Sequence, residues 1–176
     1  FLAANATLTE QLARAAAAQA SGRFIYLSSI RAVVGPGFSG TISEATPPAP
    51  QCAYGRSKRE GEIRVLEAYA SRPTDATALR LPSIYGEGMK GNLATLMRLG
   101  GMPMALSLPA AAFSGVRSLM SCEAAARTAV YLLSRQQPLP PIYVTCDLPP
   151  LPVSAIIGAF RNGFGYSLRL SRVPAG

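Results

Sequence analysis

The chain has 176 residues, 49% of them hydrophobic and 15% charged, enough for one packed core and too apolar for disorder. It contains no histidine, and its three cysteines, Cys52, Cys122 and Cys146, stand far apart, which argues against a His-based triad, a zinc site and a disulfide framework. The net charge of +8 is scattered, without finger spacing or an RNP-like aromatic run, so a groove for a phosphorylated small molecule is expected rather than nucleic acid.

No apolar run approaches bilayer length, and the most apolar region, Met102 to Phe113, is broken by Pro103 and Pro109. A cytoplasmic protein with no membrane partner is the expectation. Phe1 to Ala20 is alanine-rich and starts without a helix signal or the basic region of a secretory leader. At the other end the chain stops just after a strand-like Leu168-Arg169-Leu170. Both ends suggest a fragment.

In chain order, Leu8 to Ala20 reads as a helix stopped by Gly22. Arg23 to Ser29 is β-branched and aromatic and reads as a buried strand. Gly35 to Gln51 is a Gly/Pro/Ser/Thr-rich loop, and Ala53 to Ala70 a helix with Ile63, Leu66 and Tyr69 on its apolar face. Ala76 to Tyr85 is a second strand with Pro82 near its end, followed by a short helix from Asn92 to Leu99. After a proline-interrupted loop, Ser121 caps a helix reaching Leu133. Ile142 to Cys146 is a strand, and Val153 to Arg161 a last helix ended by Gly163. Helices alternating with buried strands point to α/β layers around a parallel sheet.

The sharpest chemical feature is Tyr54-Gly55-Arg56-Ser57-Lys58, a Tyr and a Lys four apart near a helix start. That spacing puts both on one face, one turn apart. A fixed ammonium beside a phenol favours phenolate, making the Tyr a proton shuttle for a substrate hydroxyl. An exposed helical pair of no consequence has the same spacing, so the context decides. Ser28-Ser29 closes the preceding strand, at the sheet edge where open α/β sheets place ligands. Two glycine runs, Gly35-Pro-Gly37-Phe-Ser-Gly40 and Gly86-Glu-Gly88-Met-Lys-Gly91, match a dinucleotide fingerprint on paper. The first leads into no helix and the second lacks the acidic residue downstream, so both read as loops beside the site.

With R-F-I-Y-L-S-S, Y-G-R-S-K, A-L-R-L-P-S-I-Y-G-E-G, V-R-S-L-M-S-C-E and P-I-Y-V-T-C-D in this order, the chain resembles the extended short-chain dehydrogenase/reductase superfamily, in its NAD-dependent epimerase/dehydratase group. Nucleotide-sugar 4-epimerases and 4-ketoreductases are the nearest in look. The resemblance implies the C-terminal half of a Rossmann-like parallel sheet, with residues 1–85 in the cofactor domain and 86–176 mainly in a small substrate-binding domain, some strands and helices of the latter returning to the core sheet. Tyr54 would be the catalytic acid/base, and Lys58 would lower its pKa and hold the nicotinamide ribose. Ser29, with Ser28 as substitute, would hold the reacting oxygen, and Asn5 would support the Lys. Pro82, Ser83 and Ile84 would border the nicotinamide, and Ser83, Asn92 and Arg117 would meet the nucleotide sugar, a UDP-sugar above all. NAD or NADP is the implied cofactor and a homodimer through the Tyr54 helix and its predecessor the implied assembly.

The chain departs from the pattern in several places. The Gly-rich dinucleotide loop is absent, Ile30 follows the two serines, and Glu123 stands where an Asp is frequent. The Thr-Asp-Glu signature of dehydratases is missing at Ser29-Ile30-Arg31, which leaves an epimerase or a reductase. A hydroxysteroid or dihydroflavonol-type reductase and a non-catalytic binding module are the rival expectations.

Overall fold

The computed structural model describes residues 1–19, 22–103, 106–109, 113, 115–147 and 149–171, with the backbone alone for 106–109 and 169–171. In chain order the elements are a π-helical turn Ala3–Leu8 running into α1 (Thr9–Ala17), β1 (Phe24–Ser29), a 3-10 turn Ile30–Ala32, and α2 (Ala53–Ala68). A 3-10 turn Pro73–Asp75 leads into β2 (Ala76–Leu81), then β3 (Ser83–Tyr85), α3 (Gly91–Gly100), β4 (Leu106–Pro109), β5 (Val116–Arg117) and β6 (Leu119–Ser121). Last come α4 (Cys122–Ser134), β7 (Ile142–Val144), β8 (Leu151–Pro152), α5 (Val153–Gly163) and β9 (Leu168–Ser171). The expected helix end at Ala20 and the residues after Ser171 lie outside the described residues.

The chain divides into two compact units, Phe1–Pro82 with Glu123–Thr145, and Ser83–Cys122 with Cys146–Gly176. The first is built on the parallel sheet β1-β2-β7, with Phe24 opposite Ala76, Ser29 opposite Leu81, and Ala78 opposite Ile142. β2 is central, so all six of its residues are buried. One face of the sheet packs α1 and α2 through Ala13, Tyr26, Val65, Tyr69, Ala76 and Ala78. Alanine at 13, 76 and 78 allows helix and strand to approach closely while the two tyrosines fill the rest.

The strand expected over Ala76 to Tyr85 breaks at Pro82. Proline has no N–H to give a ladder, and β2 and β3 accordingly join different sheets, β3 pairing with β6 in the second unit. That unit packs Leu93, Leu119 and Ile156 together with Tyr85, Met89, Leu96, Leu151 and Phe160. Its other pairs are β4 with β9, parallel, and β5 with β8, antiparallel.

Candidate active site

Helix α2 is set in place by small residues. Its N-terminus is capped by Cys52, whose Sγ accepts from the Gly55 N–H at 3.3 Å. A Cβ on Gly55 would stand 2.2 Å from the Arg31 carbonyl oxygen, and one on Gly61 would stand 2.2 Å from the Asn5 oxygen and 2.4 Å from Tyr26 Oη. The helix therefore lies directly on the turn that follows Ser29 and on the helical turn that carries Asn5. Both approaches need glycine.

This seating brings Lys58 to β1. Its Nζ donates to the Leu27 carbonyl at 2.8 Å and sits 5.0 Å from the centre of the Tyr26 ring. Burial lowers the Lys58 pKa, and Glu62 opposes the shift. One turn earlier, Tyr54 is half-buried, its ring edge-on to Phe1 at 5.5 Å. Ser57 ties this turn to Asn5: its Oγ donates to the Tyr54 carbonyl at 2.8 Å and accepts from Asn5 Nδ2 at 3.0 Å. Tyr26 Oη donates to the Asn5 carbonyl at 2.8 Å. Burial, then the charges of Glu62 and Tyr54, push the Tyr26 phenol far above its ordinary pKa. Tyr26 is thus a neutral donor.

The two serines separate. Successive strand residues face opposite sides of a sheet, and Ser28 Oγ donates to Glu62 Oε1 at 2.6 Å inside the packing. Ser29 Oγ instead accepts from the Arg31 N–H at 3.2 Å, capping the 3-10 turn. That bond leaves the Ser29 hydroxyl proton able to donate, whereas the Ser28 proton is already committed.

Sequence reasoning overlooked what Ser28 binds. Glu62 is completely buried and accepts from four groups: Ser28 Oγ, Arg80 Nε at 2.9 Å, Arg80 Nη2 at 2.8 Å and Arg59 Nη1 at 2.9 Å. Burial works against the carboxylate, yet Arg80, Ser28 and Arg59 together hold its pKa below the ordinary value. Two signals pointed to it. Glu62 continues the Tyr54–Lys58 stripe at the same four-residue spacing, and Arg80 is a charge inside an otherwise apolar strand, Ala-Thr-Ala-Leu-Arg-Leu. The strap from Gly35 to Gln51 is also fixed from afar, by Glu44 Oε1 accepting from the Val144 N–H at 2.9 Å.

Of the other expected residues, Pro82 is buried at the end of the first unit. The second unit holds the rest. There Ser83 and Asn92 are exposed, Ile84 is half-buried, and exposed Arg117 donates from Nη1 to the Val116 carbonyl at 2.7 Å. Glu123 pairs with Arg127 at the surface, while Asp147 Oδ2 accepts from the Ser121 N–H at 2.8 Å and from Tyr85 Oη at 3.4 Å. Asp147 was not singled out from the sequence. Among the described residues no group of three His, Cys, Asp or Glu side chains is placed to hold a metal ion, and no helix is long and apolar enough to cross a membrane.

Residues 1–106 match the model of the NAD dependent epimerase/dehydratase family, more than half of the chain. The chain belongs to that family. A UDP-glucose 4-epimerase from Vibrio cholerae is 33% identical over 107 residues, which is 57% of this chain and 31% of that protein. The structure of a UDP-glucuronic acid 4-epimerase from Bacillus cereus, in complex with UDP-glucuronic acid and NAD, matches with a TM-score of 0.75 at 20% identity, over 96% of this chain and 54% of that one. A dTDP-4-dehydrorhamnose reductase from Clostridium acetobutylicum matches at TM-score 0.74 and 20% identity, over 96% and 56% of the two chains. These likenesses carry the α/β fold with its parallel sheet. This member of the epimerase/dehydratase family spans about half the length of the solved relatives it matches, and less of the Vibrio protein.

Proposed function

We propose that the protein containing these residues is an NAD(P)-dependent nucleotide-sugar epimerase or reductase acting at the C4 hydroxyl or ketone of a UDP-sugar. The observation that carries the reading is Lys58 Nζ held on the Leu27 carbonyl at the end of β1, one helical turn from Tyr54. In its phenolate form Tyr54 takes the proton of the sugar hydroxyl as the ketone forms, and gives it back to the ketone oxygen when the hydroxyl is re-formed. The Lys58 ammonium stabilises that phenolate by charge. Ser29 donates its remaining proton to the reacting oxygen, and Asn5 braces the helix through Ser57.

The donor set suits a dinucleotide. An ammonium has three N–H donors, of which the Leu27 carbonyl takes one, leaving two to meet ribose hydroxyls. Bound nicotinamide would supply hydride acceptance and return; positioning and proton movement belong to the chain. In the same reading residues 1–85 are the second half of the cofactor domain and 86–176 mainly the substrate region. Pro82, Ser83 and Ile84 border the nicotinamide, and Ser83, Asn92 and Arg117 hold the nucleotide sugar, Arg117 through charge-assisted bonds to phosphate. The protein works in the cytoplasm. A homodimer through α1 and α2 belongs to the proposal, supported by Leu8, Leu12 and Ile63, exposed apolar residues on and beside those helices.

The test uses the full-length protein that carries these residues, with NAD and either UDP-glucose or UDP-glucuronic acid, following reduced-nicotinamide absorbance. The wild type is expected to give a transient signal, which forms about 10²–10⁴-fold more slowly in Tyr54→Phe. Cofactor binding with no signal from any nucleotide sugar would overturn the substrate class. A signal unchanged by Tyr54→Phe would remove Tyr54 from the chemistry.

A further inference from the structure

Glu62 has no place in the mechanism above, yet it is completely buried and accepts four hydrogen bonds. Its four donors come from three elements: Ser28 from β1, Arg80 from β2 and Arg59 from α2 itself. It stands one turn beyond Lys58, so Tyr54, Lys58 and Glu62 form one stripe along the helix. Lys58 and Glu62 grip successive residues of β1, the first through the Leu27 carbonyl and the second through the Ser28 hydroxyl.

We propose that Glu62 is the charge partner of Lys58: held by Ser28 and Arg80 one turn along α2, its carboxylate keeps the ammonium on the Leu27 carbonyl charged. The proposal rests on the Tyr54–Lys58 reading for its functional meaning. Physically it answers a difficulty that burial creates. A half-buried amine tends to lose its proton, and a neutral Lys58 would no longer favour the Tyr54 phenolate. Against Lys58 stand the Tyr26 ring of β1 and, one turn on along its own helix, Glu62; Tyr54 lies one turn earlier, and Arg59 of α2 and Arg80 of β2 are bonded to Glu62. Tyr26 is neutral, and Arg59 and Arg80 repel a second cation. Glu62 is the one anion in the set. Arg80 in turn keeps that anion charged, since a lone buried carboxylate would take up a proton.

Lys58 and Lys90, the two lysines of these 176 residues, offer a direct readout. In the full-length protein with carbon-13-labelled lysine, NMR gives side-chain titration curves, those of Lys58 and Lys90 assigned by Lys58→Arg and Lys90→Arg. Glu62→Gln is expected to move the Lys58 midpoint to lower pH while Lys90 stays unchanged. A role in stability alone predicts the opposite, because loosening would expose Lys58 and carry its midpoint up towards that of a free lysine. An unmoved or raised midpoint overturns the proposal.

Glu62→Gln leaves Arg80 buried without a counter-charge and can fail to fold, which circular dichroism would reveal. The double variant Glu62→Leu/Arg80→Leu removes both charges, a replacement that buried ion pairs commonly tolerate. There too the Lys58 midpoint is expected to fall, because Glu62 and not Arg80 is the charge that acts on Lys58, and a value at or above the wild type overturns the proposal. The titration needs neither cofactor nor substrate. Failure of the catalytic assay and failure of this inference are therefore separate results.

Discussion

The two faces of α2 carry the same residue types and use them differently. On the inward face Glu62 is fully buried and bonded to Ser28, Arg59 and Arg80, and Gly55, Ser57, Gly61 and Val65 are buried with it. On the outward face Glu60 pairs with Arg64, which also reaches Glu10 of α1, all within reach of water. A charge in water is already solvated, so pairing adds little, whereas a buried charge depends wholly on its partners. Residue type does not distinguish Glu60 from Glu62. Their surroundings do.

The largest effect that would break this contrast is Glu62→Ala. It strands the Arg80 guanidinium in the core and is expected to cost about 3–5 kcal/mol in urea unfolding. The loss should depend on pH. The Glu62 pKa is lowered in the folded chain, so between the ordinary carboxylate value and that lower value the unfolded chain binds the proton more readily. Its stabilisation is present above the ordinary value and lost as pH falls through the folded one. In Glu62→Ala that part of the acid sensitivity should vanish, and an unchanged acid profile would count against the role given to this carboxylate.

Next comes Gly61→Ala. The added methyl meets a backbone oxygen and the Tyr26 hydroxyl, neither able to retreat cheaply, and about 1–3 kcal/mol of destabilisation is expected. The same substitution usually strengthens an exposed helix, so a stabilised variant would show that α2 is not seated on Asn5 as described. Smaller still is Cys52→Ser, which puts a better acceptor at the helix start and should raise stability by up to about 1 kcal/mol, read from the urea midpoint. The smallest effect belongs to the outward face. Glu60→Gln should leave the thermal melt indistinguishable from wild type at physiological salt, and a clear drop in Tm would erase the difference between the two faces.

Much of the first unit was legible in the chain. The alternation of apolar strands with helices, the Tyr54–Lys58 spacing and the strand-ending serines are local patterns, and local patterns survive in one dimension. What remained hidden were partnerships between residues far apart in sequence. Ser28 and Ser29 are indistinguishable neighbours on paper, but the alternation of the strand gives one to Glu62 and the other to its own turn. Pro82 marks a strand end in the sequence, while the transfer of the following residues to another sheet depends on β6, which lies far downstream.

The sequence by itself determined the class of chemistry available. Without histidine in these residues, acid–base work is left to Tyr, Lys, Ser or carboxylates, and the motifs in their order carry the family. Only the tertiary structure decided which charges matter, because the energy of a charge depends on whether water or protein surrounds it. Glu60 and Glu62 differ in that respect alone, and the packing of α2 against β1 and β2 creates the difference.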